Sequence, residues 1–278
     1  MNHATTPAAL LEAWVDGVGL LGPGLAGWPQ TSSVLRGQAA YTPQRTMLPM
    51  PQTLHAAERR RAAAVVKLAL AVGLEAAQAA GLDPAQLATV FTSSGGDSHN
   101  CHAVCAALAS NDRLLSPTRF HNSVHNAASG YWGIATGAMA PSTVLCAYDG
   151  CFSAGLLEAL AQVVLTQAPV LLLAYDTDYP EPLLAVRPIP DSLGVALVLS
   201  PHPGPGPLSL GRIAIDAAAP CSDAAADTLD LPLLETMRQT IPAARVLPLL
   251  HALAHRAAGS VHLDYLPGQT LATEITPC

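Results

Sequence analysis

Val170–Tyr175 reads VLLLAY, an unbroken apolar run held between Pro169 and Asp176. A strand that is apolar on both of its faces has to be covered on both, which confines the chain to layered architectures of helices on a sheet. The flanking segments agree with that reading. Trp14–Leu20 alternates loosely and runs into Gly22-Pro23-Gly24, predicting a first strand and a loop. Leu87–Thr92, Thr143–Tyr148 and Val195–Leu199 predict further strands, with Thr143–Tyr148 buried. Leu54–Ala80 carries Ala, Val and Leu on a 3.6-residue period and predicts one long helix closed by Gly81. His99–Ser110, Asn122–Thr136 and Cys151–Thr166 predict three more, while residues 28–54, rich in Pro, Gln and Thr, predict irregular structure. Strand and helix thus alternate through residue 200, which predicts an α/β fold with mainly parallel sheets layered with helices. After the Pro/Gly stretch Pro201–Pro207 the tail predicts a strand (Leu208–Asp216), a long helix (Leu231–Ala258) and two closing strands (Val261–Tyr265, Thr270–Ile275).

Composition narrows the function. Half of the 278 residues are apolar and only 12% are charged. So few charges on a soluble chain point to a large subunit interface, because such a surface counts as interior. The formal net charge is −7 and Lys67 is the only lysine, which argues against nucleic-acid binding. Arg59-Arg60-Arg61 reads as a solvated helix start. The apolar stretch near Val163–Ala174 is interrupted by Gln167 and Pro169 and falls short of a membrane span of about 20 residues. The N-terminus lacks the basic region of a secretory signal. Six cysteines in this length are not a disulfide framework, so reduced thiols and a cytoplasmic protein are expected.

Several polar clusters invite a chemical role. His99, Cys101, His102 and Cys105 fall on one predicted helix, and His121 with His125 precede another. Zinc sites want paired ligands at short spacing in each half. These residues read instead as pocket and interface polar groups, and no metal or cofactor is expected. His251 and His255 stand at i and i+4, but no glutamate follows the first as in the metalloprotease signature, so helix packing is their default. Ser93-Ser94-Gly95-Gly96 follows a strand without the spacing or lysine of a phosphate-binding loop, and reads as a tight loop over a pocket.

The stretch Ser116–Leu160, SPTRFHNSVHNAASGYWGIATGAMAPSTVLCAYDGCFSAGLLEAL, resembles the nucleophile region of β-ketoacyl synthases. Ser116-Pro117, the Asn-rich turn, Ile134 and Gly137 in the helix, Pro141, the strand after it and Glu158-Ala159 follow that pattern without gaps. Trp14–Gly24 and Glu58–Leu82 with Asp83-Pro84 are similar to the family's opening strand and later helix. Tyr175-Asp176 and Tyr179–Leu183 look like the short subgroup found with type II systems making aryl polyene or xanthomonadin-like pigments. The resemblance covers about residues 10–200. It implies a thiolase-like fold, with residues 1–200 as the ketosynthase-like N-terminal half and 201–278 as a truncated, degenerate C-terminal portion packing on it. The string His-Gly-Thr-Gly-Thr and a Phe-Gly-Gly turn do not occur after residue 200.

The position of the family's nucleophilic cysteine falls on Asp149. A ketosynthase needs a thiolate, lowered in pKa at a helix N-terminus, to take an acyl chain from a carrier-protein thioester. An aspartate at that position reads first as an N-cap favoured by the helix dipole. A sharper reading has it plug or polarise a vestigial acyl pocket. Cys151, in the helix's first turn, and Cys146, in the strand before, are weaker substitutes because no activating base is identifiable. The resemblance places Asn122, His125 and Asn126 near a dimer seam and, with Tyr148 and Asp149, makes them candidates for substrate or partner contact. It implies a non-catalytic, chain-length-factor-like partner of an active β-ketoacyl synthase, working with an acyl carrier protein and shaping its acyl tunnel. The alternative is an acyltransferase or decarboxylase that uses Cys151 or Asp149.

Overall fold

The computed structural model describes residues 10–205 and 209–278. The leading residues and Leu208, the first residue of one expected strand, lie outside this range. β1 (Leu10–Gly22) and β2 (Leu25–Ala26) lead into α1 (Trp28–Leu35). Then come α2 (Ala56–Arg61), α3 (Ala64–Ala80), β3 (Ala88–Thr92), α4 (Ser98–Ala109), α5 (Pro117–Ser123), α6 (Ala127–Thr136) and β4 (Ser142–Leu145). α7 (Cys151–Thr166), β5 (Val170–Asp176), α8 (Leu183–Val186) and β6 (Leu193–Ser200) complete the first part. The tail supplies β7 (Gly211–Asp216), β8 (Cys221–Ser222), α9 (Pro232–Thr240), α10 (Leu247–His255), β9 (Gly259–Asp264) and β10 (Thr270–Pro277).

Among the described residues ten strands form one sheet, in the order β4-β3-β5-β6-β1-β7-β10-β8, with β2 on β1 and β9 on β10. β5 explains the layering. Leu171, Leu173 and Tyr175 pack under α3 and α6 with Phe91 and Trp132, while Val170, Leu172 and Ala174 face α7 and the tail helices. Every residue of β5 is buried, as its apolar run requires. α3 lies so close to β1 that a Cβ on Gly19 would overlap the carbonyl oxygen of Val72, so only glycine fits there. β7 and β10 carry the sheet past residue 200, and Leu247, Leu250 and Leu253 of α10 join the core on the α7 side.

The sheet is mixed rather than mainly parallel. Among the described residues only β4–β3–β5 pair in parallel, and the remaining ladders are antiparallel. The connection from β5 to β6 holds only the four-residue α8, too little for the helical crossover of a parallel pair. Six local expectations are corrected as well. The helix over Leu54–Ala80 is broken at Ala62 and Ala63, where the chain turns extended. The Asn122 side-chain amide donates to the Arg61 carbonyl there (2.8 Å) and satisfies the end of α2, so the arginine cluster ends a helix instead of starting one. Asn122–Thr136 is likewise two helices, α5 and α6. Leu231–Ala258 divides into α9, a 3₁₀ turn (Pro242–Val246) and α10, with Pro242 unable to continue the α9 ladder. Trp28–Leu35 is helical, with Pro29 in the first turn where its missing N–H costs nothing. β4 is also shorter than expected, and it is an exposed to half-buried edge strand instead of a buried one.

Candidate functional site

The chain leaves β4 and passes through a 3₁₀ turn, Tyr148–Gly150, into α7. Tyr148 holds φ at 52°, a left-handed conformation that a bulky residue adopts only when its surroundings enforce it. Gly150 is the N-cap of α7, and no side chain caps that end. A Cβ on Gly150 would overlap the carbonyl oxygen of Tyr265, so the turn between β9 and β10 sits directly on the start of α7.

Asp149 is therefore not the N-cap that its sequence position suggests. It lies one residue too early, and its carboxylate points to two arginines. Arg187, just past α8, donates to one oxygen at 2.6 Å, and Arg245, in the 3₁₀ turn after α9, donates to the other at 3.2 Å. The Arg187 guanidinium also lies 3.8 Å from the centre of the Tyr148 ring. Burial works against the charge on Arg187, but hydrogen bonding and attraction to Asp149 outweigh it and hold the guanidinium above its ordinary value. The network continues. Arg245 faces Asp264 at 3.6 Å, Asp264 accepts from Arg238, and Arg238 pairs with Glu235 at 2.7 Å. A cleft of about 610 Å³ opens in front, walled by Tyr148, Asp149, Arg245, Asp264 and the loop Tyr265–Thr270.

Behind this wall, Asp176 at the end of β5 is fully buried. It accepts from Ser94 N (2.9 Å), Ser94 Oγ (2.6 Å) and Ala243 N (2.9 Å). It thereby ties the loop after β3 to the turn that carries Arg245. Burial raises its pKa, against the pull of those hydrogen bonds.

Cys151 is also buried. Its sulfur accepts from the Ala147 N–H at 3.0 Å, and burial above all pushes the thiol up to about 12. At neutral pH only about one thiol in 10⁵ would then be thiolate, the wrong direction for a nucleophile. Cys146 is exposed, with its thiol 3.3 Å from the Ser94 carbonyl oxygen.

The remaining candidates scatter. Asn122 is buried and committed to the Arg61 carbonyl, so it fastens α5 to α2 from within. His125 is half-buried with Nε2 at 3.2 Å from the Ser93 carbonyl oxygen, and Asn126 is exposed ahead of α6. Only Tyr148 and Asp149 of the expected contact residues line the cleft. The Ser93–Gly96 loop is a tight turn in which Ser93 Oγ accepts from Gly96 N at 3.0 Å. Cys101, His102 and Cys105 line an apolar groove of about 510 Å³ with Tyr179, Leu183 and Val186, whereas His99 faces Asp178 at 3.4 Å. His251 and His255 stack at 4.2 Å on α10. Among the described residues no three His, Cys, Asp or Glu side chains come together as a metal site, and no helix is long and apolar enough to cross a membrane.

Sequence reasoning missed Arg187, Arg245 and Asp264. The signal available was weak: each arginine interrupts an apolar stretch (AVRPI, AARVL) in a chain with few charges.

The comparisons with known proteins agree with this architecture. A chain from the complex of the ketosynthase ApeO with its chain length factor ApeC, from Xenorhabdus doucetiae, superposes with a TM-score of 0.70 at 19% identity, covering 94% of this chain and 98% of that one. A chain of AntDE:AntF, a type II acyl-carrier protein in complex with its ketosynthase, gives 0.72 at 13% identity over 96% and 99%. The ishigamide ketosynthase/chain length factor gives 0.66 at 12% over 96% and 99%. The fold is thus the thiolase-like fold expected. No curated protein matches by sequence. The family described as β-ketoacyl synthase, N-terminal domain, matches residues 28–237, three quarters of the sequence, and the chain belongs to that family.

Proposed function

We propose that this chain is a non-catalytic, chain-length-factor-like partner of an active β-ketoacyl synthase, shaping the tunnel for an acyl chain delivered by an acyl carrier protein. The observation that carries the reading is the state of position 149. A carboxylate locked between two arginines replaces the nucleophile, and the neighbouring thiol is buried and protonated. The partner follows from a second feature. Phe120 on α5, Ile134 on α6 and Met139 before β4 are 58%, 52% and 95% exposed, and β4 is an edge strand of the sheet. Exposed apolar side chains and an open sheet edge both suit a partner subunit. Similar solved structures include a ketosynthase bound to its chain length factor and one bound to an acyl-carrier protein. An aryl polyene-type chain and a cytoplasmic setting belong to the same proposal.

The test is the mass in solution, by light scattering, of the protein alone and co-expressed with a ketosynthase of its own system, followed by acyl-thioester labelling. A one-to-one complex with label on the ketosynthase and none on Cys151 is expected. A monomer indifferent to the ketosynthase, or a lone chain that takes label on Cys151 or releases carbon dioxide from a malonyl thioester, overturns the proposal in favour of an enzyme.

A further inference from the structure

Arg187 and Arg245 arrive at position 149 from separate elements, and each takes one oxygen of a single carboxylate. That is the way a pair of guanidiniums holds a free carboxylate ion. The Nε atoms of both are buried without a hydrogen-bond partner. Among the described residues Arg187 meets no other carboxylate within ion-pair distance. The position immediately precedes the sixteen residues of α7, whose N-terminal end adds to the positive field. Asp149 itself is a third exposed, at the wall of the cleft and within reach of a diffusing ligand.

We propose that Arg187, Arg245 and the start of α7 form a seat for a small carboxylate, and that the chain fills this seat with its own Asp149. With Asp149 in place, each of the two guanidiniums already holds a carboxylate oxygen, so neither is free for a second anion. Removing the Asp149 carboxylate leaves two guanidiniums aimed at one carboxylate-sized place. The inference stands on the geometry at position 149 and holds whether or not the chain pairs with a ketosynthase.

The experiment compares wild type, Asp149→Ala, and Asp149→Ala combined with Arg187→Met, each melted in sodium formate and in sodium chloride of equal ionic strength. Asp149→Ala should lower Tm by about 5 °C. Formate should restore at least half of that loss with a saturating dose dependence, as a ligand bound only by the folded state does. Wild type and the double variant should respond to formate and chloride alike. The proposal is overturned if chloride restores Asp149→Ala as well as formate does, if the double variant keeps the rescue, or if wild type gains as much. Should Asp149→Ala not fold in plain buffer, refolding yield carries the same comparison. A soluble product in formate alone supports the seat, and insolubility in both salts refutes it.

Discussion

The neighbourhood of Asp149 and the face made by α5, α6 and β4 differ in what they leave unmet. The Asp149 carboxylate meets two arginines, and the Cys151 thiol beside it is protonated and enclosed. Along α5, α6 and the approach to the edge strand β4, Phe120, Val124, Ile134 and Met139 stand in water. Exposed apolar surface carries a cost of about 25 cal/mol per Å² that burial against a partner would relieve. Ion pairs already made gain nothing further from a partner. Under the proposed function, the contrast means that closing a reactive centre and keeping an association surface are separable. The first takes a few charged side chains from distant segments, and the second persists in the outward faces of elements whose inward faces build the core.

The hardest way to break the closed region is Asp176→Ala. It strands the Ser94 N–H, the Ser94 hydroxyl and the Ala243 N–H in the interior, at a cost of about 3–5 kcal/mol. Because Ala243 and Arg245 share one turn, the variant should also loosen Arg245 from Asp149. Denaturant unfolding checks the magnitude. A loss under about 1 kcal/mol would mean that the buried carboxylate does not hold the two parts together.

The open face should respond in the opposite way. Phe120→Arg puts a charge where a partner would bury an aromatic ring, so binding to the ketosynthase should weaken by about 2–4 kcal/mol, as at an interface hot spot. Stability of the lone chain should move by no more than about 0.5 kcal/mol, since the ring is mostly in water. Titration calorimetry and thermal melts read the two quantities separately. Equal affinity for both proteins would remove this face from the interface.

What the sequence made legible follows the same division. Local periodicity carried β5, α4 and α7 nearly to their ends, and the alternation of elements carried the layered architecture. The resemblance over Ser116–Leu160 led to position 149, but not to its partners. Arg187 and Arg245 lie 38 and 96 residues further along, and nothing local to Asp149 encodes them. The break at Ala62 was hidden for the same reason. Alanine favours a helix, and what ends α2 is an amide from Asn122, 61 residues away. The apolar run in Thr143–Tyr148 predicts a buried strand, and only the sheet order reveals that β4 is an exposed to half-buried edge.

The smallest expected difference is in pH dependence, and it separates the charged region from the apolar one. Hydrogen bonding to Arg238 holds the Glu235 carboxyl down at about 2, against an ordinary 4.5. A carboxylate depressed on folding contributes its stability above the unfolded value and loses it as pH falls from about 4.5 towards 2. The contribution at neutral pH is roughly 1–2 kcal/mol. Asp176 runs the other way: burial raises its pKa, so folding favours its protonated form and its contribution declines as pH rises through the folded value. The measurement is therefore a difference, unfolding free energy against pH for Glu235→Gln and for the parent, in which Asp176 cancels. The two curves should lie apart at pH 7 and converge below pH 4. Parallel curves would mean that the Arg238 pair is screened by solvent. In that case the charges around Asp149 would hold the site through geometry alone, with little net energy of their own.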